Sequence, residues 1–192
     1  MKNTKILLLV LFLLIPELYS QIQSGWYWVN PQPQGHNLTS VAYLNNNIIV
    51  AVGWNGTIIR SQNGGLNWSY YRYNTFSDFK KLKFVDQQTG YAIGDSSLIL
   101  KTTDTGLSWT RLNYYTNDNF SDVSFINVNT GYISGIFRLL KTTNSGVNFE
   151  DVPNIGGYFV QFIDSETGYC GGNGVKKTTN GGENWENIIN PF

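Results

Sequence analysis

The sequence predicts an all-β protein made of about four copies of one four-stranded antiparallel unit. A string of eight residues with a fixed pattern recurs four times, and its copies start 41, 40 and 36 residues apart. The chain has 20 glycines among its 192 residues, with 15% aromatic and only 14% charged residues. This composition is typical of many short strands joined by tight turns. A repeat of about this period indicates units that stack on one another.

Each repeat predicts the same succession of strands. An alternating segment such as residues 123–125 comes first, and a turn at Thr130 and Gly131 follows. A second strand then begins at Tyr132, and the third has the pattern of residues 98–100. The recurrent turn joins the third strand to a fourth, which is expected to start at the aromatic residue. Short apolar runs separated by Gly and Asn turns predict an antiparallel meander.

The recurrent turn has a hydroxyl residue first, Asp or Asn third, glycine fifth and an aromatic residue eighth. These positions are Ser61, Asn63, Gly65 and Trp68; Thr102, Asp104, Gly106 and Trp109; Thr142, Asn144, Gly146 and Phe149; and Thr178, Asn180, Gly182 and Trp185. The third side chain is expected to accept backbone N–H groups about two residues on, and the glycine to adopt positive φ. The hydroxyl fastens the start of the turn, and the aromatic ring lies between sheets. We therefore predict a structural turn, and no catalytic or metal role for Asp104.

The turns resemble Asp-box (BNR) repeats, and together with "TGYAIG", "TGYISG" and "TGYCGG" they resemble secreted β-propellers over about residues 25 to 192. The photosystem II stability and assembly factor family is the family that the chain resembles. This resemblance implies a β-propeller-type fold and a scaffold that holds other polypeptides. The Asp-box motif is specific for a turn and not for an activity, since fold does not imply function.

The first twenty residues have the pattern of a signal peptide. Lys2 and Lys5 precede an apolar run over residues 6–15, Pro16 ends the run, and Ser20 offers a cleavage point. The alternative is an uncleaved anchor, although the apolar run is too short to span a bilayer. Export would leave residues 21–192 as the repeat domain, with units ending near 68, 109, 149 and 185. The expected location is secreted, periplasmic or at the cell surface, with no membrane span after signal removal.

Counting strands predicts an open arc of four blades, or an incomplete propeller. The segment "GWYWVNPQPQG" resembles a fourth strand with no preceding three, while the last unit already has its own fourth strand. The sequence is then expected to be part of a longer protein, and the alternative is a compact four-bladed ring. Open ends of the array favour self-association, because terminal repeats normally need caps.

Composition and motifs argue against several classes of function. Thirteen basic and thirteen acidic residues balance, so no net field attracts nucleic acid. His36 is the only histidine and Cys170 the only cysteine, which excludes a histidine-based metal cluster. A sialidase-like site would need converging arginines, but Arg60 stands where the other copies have lysine, and we expect an exposed strand position there. We predict no catalytic residue, cofactor or metal.

A binding function is the remaining expectation. Tyr70, Tyr71 and Tyr73, with Tyr114 and Tyr115, lie on or just after predicted outer strands. Exposed tyrosines of this kind suit protein partners or sugars. The other interpretation is that they pack between neighbouring sheets. We expect a non-enzymatic scaffold for protein partners, with a carbohydrate-binding or sialidase-like module as the alternative.

Overall fold

The computed structural model describes residues 35–114, 116–172 and 174–189. All of them lie in the second of two compact units of the chain, which begins at residue 33. The predicted signal peptide, the segment up to residue 34 and Tyr115 lie outside the described residues.

The described residues form sixteen strands, arranged as four antiparallel sheets of four consecutive strands. The first sheet contains Leu38–Tyr43 (β1), Ile49–Gly53 (β2), Thr57–Ser61 (β3) and Trp68–Arg72 (β4). The second contains Phe79–Phe84 (β5), Gly90–Gly94 (β6), Leu98–Thr102 (β7) and Thr110–Arg111 (β8). The third contains Phe120–Phe125 (β9), Gly131–Gly135 (β10), Leu139–Thr142 (β11) and Glu150–Val152 (β12). The fourth contains Phe159–Phe162 (β13), Gly168–Gly172 (β14), Gly174–Thr178 (β15) and Glu186–Ile189 (β16). The predicted all-β repeat architecture is confirmed.

Three apolar cores fill the spaces between consecutive sheets. The first core joins the sheet of Val50, Val52 and Ile58 to the sheet of Leu82 and Leu100. The second and third cores join the next two pairs of sheets in the same way. Burial of these side chains, at about 25 cal/mol per Å² of apolar surface, is the main force that holds each sheet to the next.

Strand periodicity divides each middle sheet between two cores. In β6, Ala92 belongs to the first core and Ile93 to the second. In β10, Ile133 belongs to the second core and Tyr132 to the third. Successive side chains on a strand point to opposite faces, so a strand between two sheets must be apolar at both positions. This explains why the "TGY" strands have no charged residue and are buried on both faces in the two middle sheets.

The sheets follow one another through their first strands. β1 contacts β5, β5 contacts β9, and β9 contacts β13, while among the described residues no packing of similar extent joins β13 to β1. The predicted open array of four units is therefore the arrangement that the described residues have. Within the same residues, no helix has both the length and the apolar character needed to cross a membrane.

Candidate functional site

The antiparallel meander gives every sheet two distinct ends. The Asp-box turns between third and fourth strands lie at one end, together with the turns between first and second strands. We call this the box end. The hairpins between second and third strands, and the connections from one sheet to the next, lie at the other end. We call this the loop end.

Each Asp-box turn is closed by its own side chains. Thr102 Oγ1 donates to Asp104 Oδ1 over 2.7 Å and accepts the backbone N–H of Gly106 at 3.0 Å. The N–H of Ser108 donates to Asp104 Oδ1 at 2.9 Å. Equivalent bonds occur in the other three copies, where asparagine replaces the acid. The amide that bonds to the third side chain is four residues on, and not about two as expected, because the turn is wider than a simple Asx turn.

Two successive residues of each turn have positive φ. The fifth-position glycines do, as expected, with φ of +81° at Gly106. The fourth position does as well, with φ of +62° at Thr105 and +61° at Ser145. Glycine fills this position in the other two copies, at Gly64 and Gly181, whereas threonine and serine rarely adopt such a conformation. The double turn directs the fourth residue's carbonyl outward from its own sheet.

That carbonyl is bound by the preceding sheet, which corrects the expectation for Arg60. Arg60 is only 7% exposed, and not an exposed strand position. Its Nε donates to the Thr105 carbonyl at 2.9 Å, and its guanidinium also donates to Thr105 Oγ1 at 2.8 Å. Lys101 Nζ donates to both the carbonyl and the hydroxyl of Ser145, each at 2.8 Å. The basic residue faces the next sheet because it is one strand position before the turn.

A tyrosine on the neighbouring strand takes part in the same contact. Tyr91 donates its hydroxyl to the Ser145 carbonyl at 3.0 Å, and its ring stacks on Phe125 at 4.3 Å between centroids. Tyr132 donates to the Gly181 carbonyl at 2.6 Å and stacks on Phe162 at 4.7 Å. We call the interlock the contact in which a basic residue, a tyrosine or both on one sheet donate to the turn carbonyl of the next sheet. Where a tyrosine takes part, its ring stacks on an aromatic ring of that next sheet. Burial raises the pKa of both tyrosines.

The ionisable residues of the turns are engaged in structure. Burial acts to raise the pKa of Asp104, but hydrogen bonds from Ser108, Thr102 and backbone amides outweigh it, and the pKa is lowered. Cys170 is fully buried in the third core, and this burial raises the pKa of its thiol to about 12. Within the described residues, no group of three or more His, Cys, Asp or Glu side chains is placed to hold a metal ion.

The predicted tyrosines have different environments. Tyr70 and Tyr71 lie on β4 opposite Ile59 and Ile58, so they are exposed on opposite faces of the first sheet. Tyr73 packs against the first core. Tyr114 packs against the second core, where burial raises the pKa of its phenol and the nearby Arg138 partly offsets this rise. The four described tyrosines of the predicted set therefore do not share one exposed face, and Tyr115 lies outside the described residues.

The loop end instead carries a row of exposed aromatic residues that the sequence analysis did not select. Phe76 is 88% exposed, Phe137 76% and Tyr158 60%, and Trp54 is nearly half exposed. They occupy four of the loops at this end: the β2–β3 hairpin, the β4–β5 connection, the β10–β11 hairpin and the β12–β13 connection. The β6–β7 hairpin and the β8–β9 connection, which lie between them in chain order, have no exposed aromatic residue among the described residues. A single large aromatic side chain in each glycine- or asparagine-bearing loop is the sequence signal that could have identified them.

These loops are held by hydrogen bonds to neighbouring elements. The N–H of Asn55 donates to Asp78 Oδ1 at 3.0 Å, which joins the first hairpin to the second sheet. The N–H of Phe137 donates to the buried Asp118 at 3.1 Å. The N–H of Tyr158 donates to the Gly171 carbonyl at 2.7 Å. The exposed rings are thus presented on a fixed backbone, which lowers the entropy lost when a partner binds.

The four arginines do not converge on one point. Arg60 is bound at the box end, while the Arg72 guanidinium lies over the Phe76 ring, 5.9 Å from its centroid, at the loop end. Arg138 pairs with Asp151 at 3.0 Å on the third sheet. Arg111 lies on β8 of the second sheet. A clamp of several arginines around one carboxylate is therefore not formed.

Comparison with protein families matches residues 20–103 to the model described as photosynthesis system II assembly factor YCF48. The chain is thus similar to this family of BNR propellers over its first half. The comparison with curated proteins gives no significant match.

Solved structures support the same fold. YCF48 from Cyanidioschyzon merolae matches with a TM-score of 0.65 and 17% identity, over 84% of this chain and 59% of that one. YCF48 bound to D1 peptide matches with a TM-score of 0.52 and 22% identity, over 58% and 40% of the two chains. An ancestral GH74 enzyme matches with a TM-score of 0.67 and 19% identity, over 87% of this chain and 26% of the enzyme. The chain spans 40 to 59% of the YCF48 proteins that it matches, and these likenesses show a β-propeller fold.

Proposed function

We propose that this chain is an exported, non-enzymatic β-propeller scaffold that binds a polypeptide partner through its loop end. The observation that carries the proposal is the row of exposed aromatic rings at Trp54, Phe76, Phe137 and Tyr158. Aromatic side chains are enriched at protein interfaces because they bury much surface and lose little conformational entropy. We take these exposed rings, three of which lie in loops with hydrogen bonds to neighbouring elements, as the interaction surface.

The similarity to YCF48 supports a polypeptide as the class of partner. One YCF48 structure contains a bound D1 peptide. We take from that protein only the kind of ligand, a peptide, and not the identity of its partner. The loop end suits such a segment because exposed aromatic residues lie on the hairpins of the first and third sheets and on the connections that follow those sheets, so a ligand can contact more than one ring.

The non-enzymatic part of the proposal is supported by how the charged groups are used. Asp104 accepts hydrogen bonds from its own turn, and Arg60 binds the Thr105 carbonyl. Arg138 and Asp151 bind each other. These groups stabilise the fold and are not directed at a common point where a substrate could react.

Export is supported by the sequence of residues 1–20, which precede the described part of the chain. The basic start, the short apolar run and Ser20 suit a signal peptidase. Intact-mass measurement on material secreted by the host tests this, and the expected mass is that of a chain starting near Gln21. Retention of residues 1–20 in secreted material would contradict it.

Cross-linking capture from extracellular extract tests the binding surface. The loop-end variant carries Phe76→Ser, Phe137→Ser and Tyr158→Ser, and it is expected to lose the captured polypeptide. The matched control carries Leu66→Ser, Leu107→Ser and Val147→Ser, which are similarly exposed apolar residues at the box end. The control should capture the partner as the unmodified protein does. Loss in the control and retention in the loop-end variant would contradict the assignment of the surface.

A carbohydrate ligand is the second candidate, because exposed aromatic rings also stack on sugars and the GH74 enzyme shares the fold. A glycan array probed with the same two variants separates the candidates. Glycan binding that is lost in the loop-end variant, without any captured polypeptide, would favour the carbohydrate-binding module. Turnover of a fluorogenic glycoside would contradict the non-enzymatic proposal.

A further inference from the structure

We propose that two copies of this chain associate head to tail, with the fourth sheet of each copy packed on the first sheet of the other. The contact is the same interlock that joins consecutive sheets within the chain. It uses faces of the terminal sheets, so it is independent of the loop end and of the proposed partner.

The interlock occurs at all three junctions between described sheets. Arg60 binds Thr105 at the first junction, and Lys101 with Tyr91 binds Ser145 at the second. Tyr132 binds Gly181 at the third junction. At every junction the donors lie on the earlier sheet and the acceptor carbonyl lies on the later one. Each sheet therefore has a donor face and an acceptor face.

The fourth sheet has a complete donor half. Tyr169 pairs with Lys177 across β14 and β15, in the register that Tyr132 and Lys141 have across β10 and β11. Lys177 Nζ lies 5.9 Å from the Tyr169 ring centroid, compared with 5.6 Å for Lys141 and Tyr132. The ring of Tyr132 on the third sheet is fully buried, with the fourth sheet packed against it, whereas Tyr169 on the fourth sheet is partly exposed.

The first sheet has the matching acceptor half. Its turn contains Gly64 and Gly65, the same pair as Gly181 and Gly182 in the turn that accepts Tyr132. A Cβ added at Gly182 would collide with the Tyr132 hydroxyl, so the ring of the preceding sheet occupies the space above that glycine. A Cβ added at Gly65 would approach only Trp68 and Ile49 of its own sheet. Among the described residues, no ring occupies the equivalent space at Gly65.

The stacking surface of the acceptor half is also present and open. Tyr43 pairs with Ile49 in the register that Phe162 has with Gly168, so Tyr43 stands where the stacking phenylalanine stands. Tyr43 is 64% exposed. Val41 occupies the strand position of Leu82, yet it is 66% exposed whereas Leu82 is buried in the first core. The first sheet thus exposes an apolar face of the kind that a preceding sheet covers.

A second copy of this chain is the occupant that provides both missing halves at once. Its fourth sheet supplies the donors Tyr169 and Lys177 for the turn at Gly64, and its first sheet accepts the donors of the other copy. Two copies joined at both ends form two identical interlocks, and the described residues of the two copies together contain eight sheets, within the range of about four to eight blades in propellers. Contacts of unlike faces can close into a ring in this way.

The experiment measures molar mass by light scattering over a concentration series of the full mature chain. We expect a dimer with a measurable dissociation constant. Lys177→Ala and Tyr43→Ala should each weaken the dimer at least tenfold. The matched controls are Lys176→Ala, whose side chain bonds to Asn187 from the opposite face of β15, and Tyr71→Ala, an exposed tyrosine on the opposite face of the first sheet. Both controls should retain the dimer.

Mixing the two weakened variants gives a sharper outcome. A mixture of Lys177→Ala and Tyr43→Ala can form a pair in which one interlock has both substitutions and the other has none. The mixture should therefore recover dimer that neither variant forms alone. A monomer at all concentrations would overturn the proposal, as would a dimer that is insensitive to both substitutions or assemblies larger than a dimer.

Discussion

The Tyr132 hydroxyl donates a 2.6 Å hydrogen bond to the Gly181 carbonyl, across the junction between the third and fourth sheets. The two residues are 49 positions apart, and each lies in a motif that repeats along the chain. The bond therefore represents a contact that the repeat makes with its neighbour. It places the tyrosine of the "TGY" motif against the Asp-box turn of the next unit.

Tyr132→Phe should lower the free energy of unfolding by about 1–2 kcal/mol. The substitution removes one hydrogen bond and leaves the carbonyl of Gly181 without it, while the stacked ring remains. Urea denaturation at low protein concentration measures the loss. Tyr71→Phe is the control: the ring of Tyr71 is exposed, so this substitution should leave the free energy of unfolding nearly unchanged. Equal stability of all three proteins would show that the bond contributes nothing.

Arg60→Ala should lower the free energy of unfolding by about 2–3 kcal/mol. The substitution removes the buried guanidinium and leaves the carbonyl and hydroxyl of Thr105 without its two hydrogen bonds. Arg60→Lys should recover most of this, since Lys101 makes two such bonds to Ser145 from the equivalent position. Thermal or urea unfolding of the three proteins provides the comparison. No change in the free energy of unfolding for either substitution would contradict a stabilising role for Arg60.

Trp109→Ala should lower the free energy of unfolding by about 3 kcal/mol. The ring packs against the first core, meets Phe84 edge to face at 6.4 Å, and donates its Nε1–H to the Gly106 carbonyl. Asp104→Asn should cost well under half as much at neutral pH, because asparagine closes the same turn in the other copies. Losses of equal size would show that the charge of Asp104 matters beyond the turn.

The stabilising effect of Asp104 relative to asparagine should depend on pH. The pKa of Asp104 is lowered in the folded protein, so its ionised form stabilises the fold at pH values above its unfolded pKa of about 3.8. This contribution is lost as the pH falls below that value and passes through the lower folded pKa. The difference in melting temperature between the unmodified protein and Asp104→Asn should therefore decrease between pH 5 and pH 2.5. A difference that grows on acidification would have the wrong sign.

Cys170 should report on unfolding. Its thiol is fully buried and its pKa is raised to about 12, so little thiolate forms at pH 8 and the sulfur is shielded from reagent. Reaction with a thiol-specific chromogenic reagent should be slow in the native protein and fast in concentrated urea. The rate in intermediate urea should follow the unfolding curve from tryptophan fluorescence. Rapid reaction of the native protein would contradict the burial of this thiol.

The sequence by itself determined the repeat and most of its local structure. The spacing of Ser61, Thr102, Thr142 and Thr178 defined four units, and the alternation of apolar residues defined four strands in each. Local chemistry explains this success, because a turn with a hydroxyl, an amide or acid and a glycine can be closed by residues within a few positions of each other. The fold class and the resemblance to secreted propellers followed from these short-range signals.

Only the tertiary structure decided what the residues between the turns do. Arg60 and Lys101 look like exposed charges in a strand, yet they bind the turn of the following sheet about 45 residues away. The distribution of aromatic residues was decided in the same way, since Tyr114 packs in a core while Phe76 is exposed. A strand pattern gives the face on which a side chain lies, but it does not give the neighbour opposite that face. That neighbour is set by how whole sheets pack, because burial of apolar surface between sheets is summed over many residues and no single sequence position encodes it.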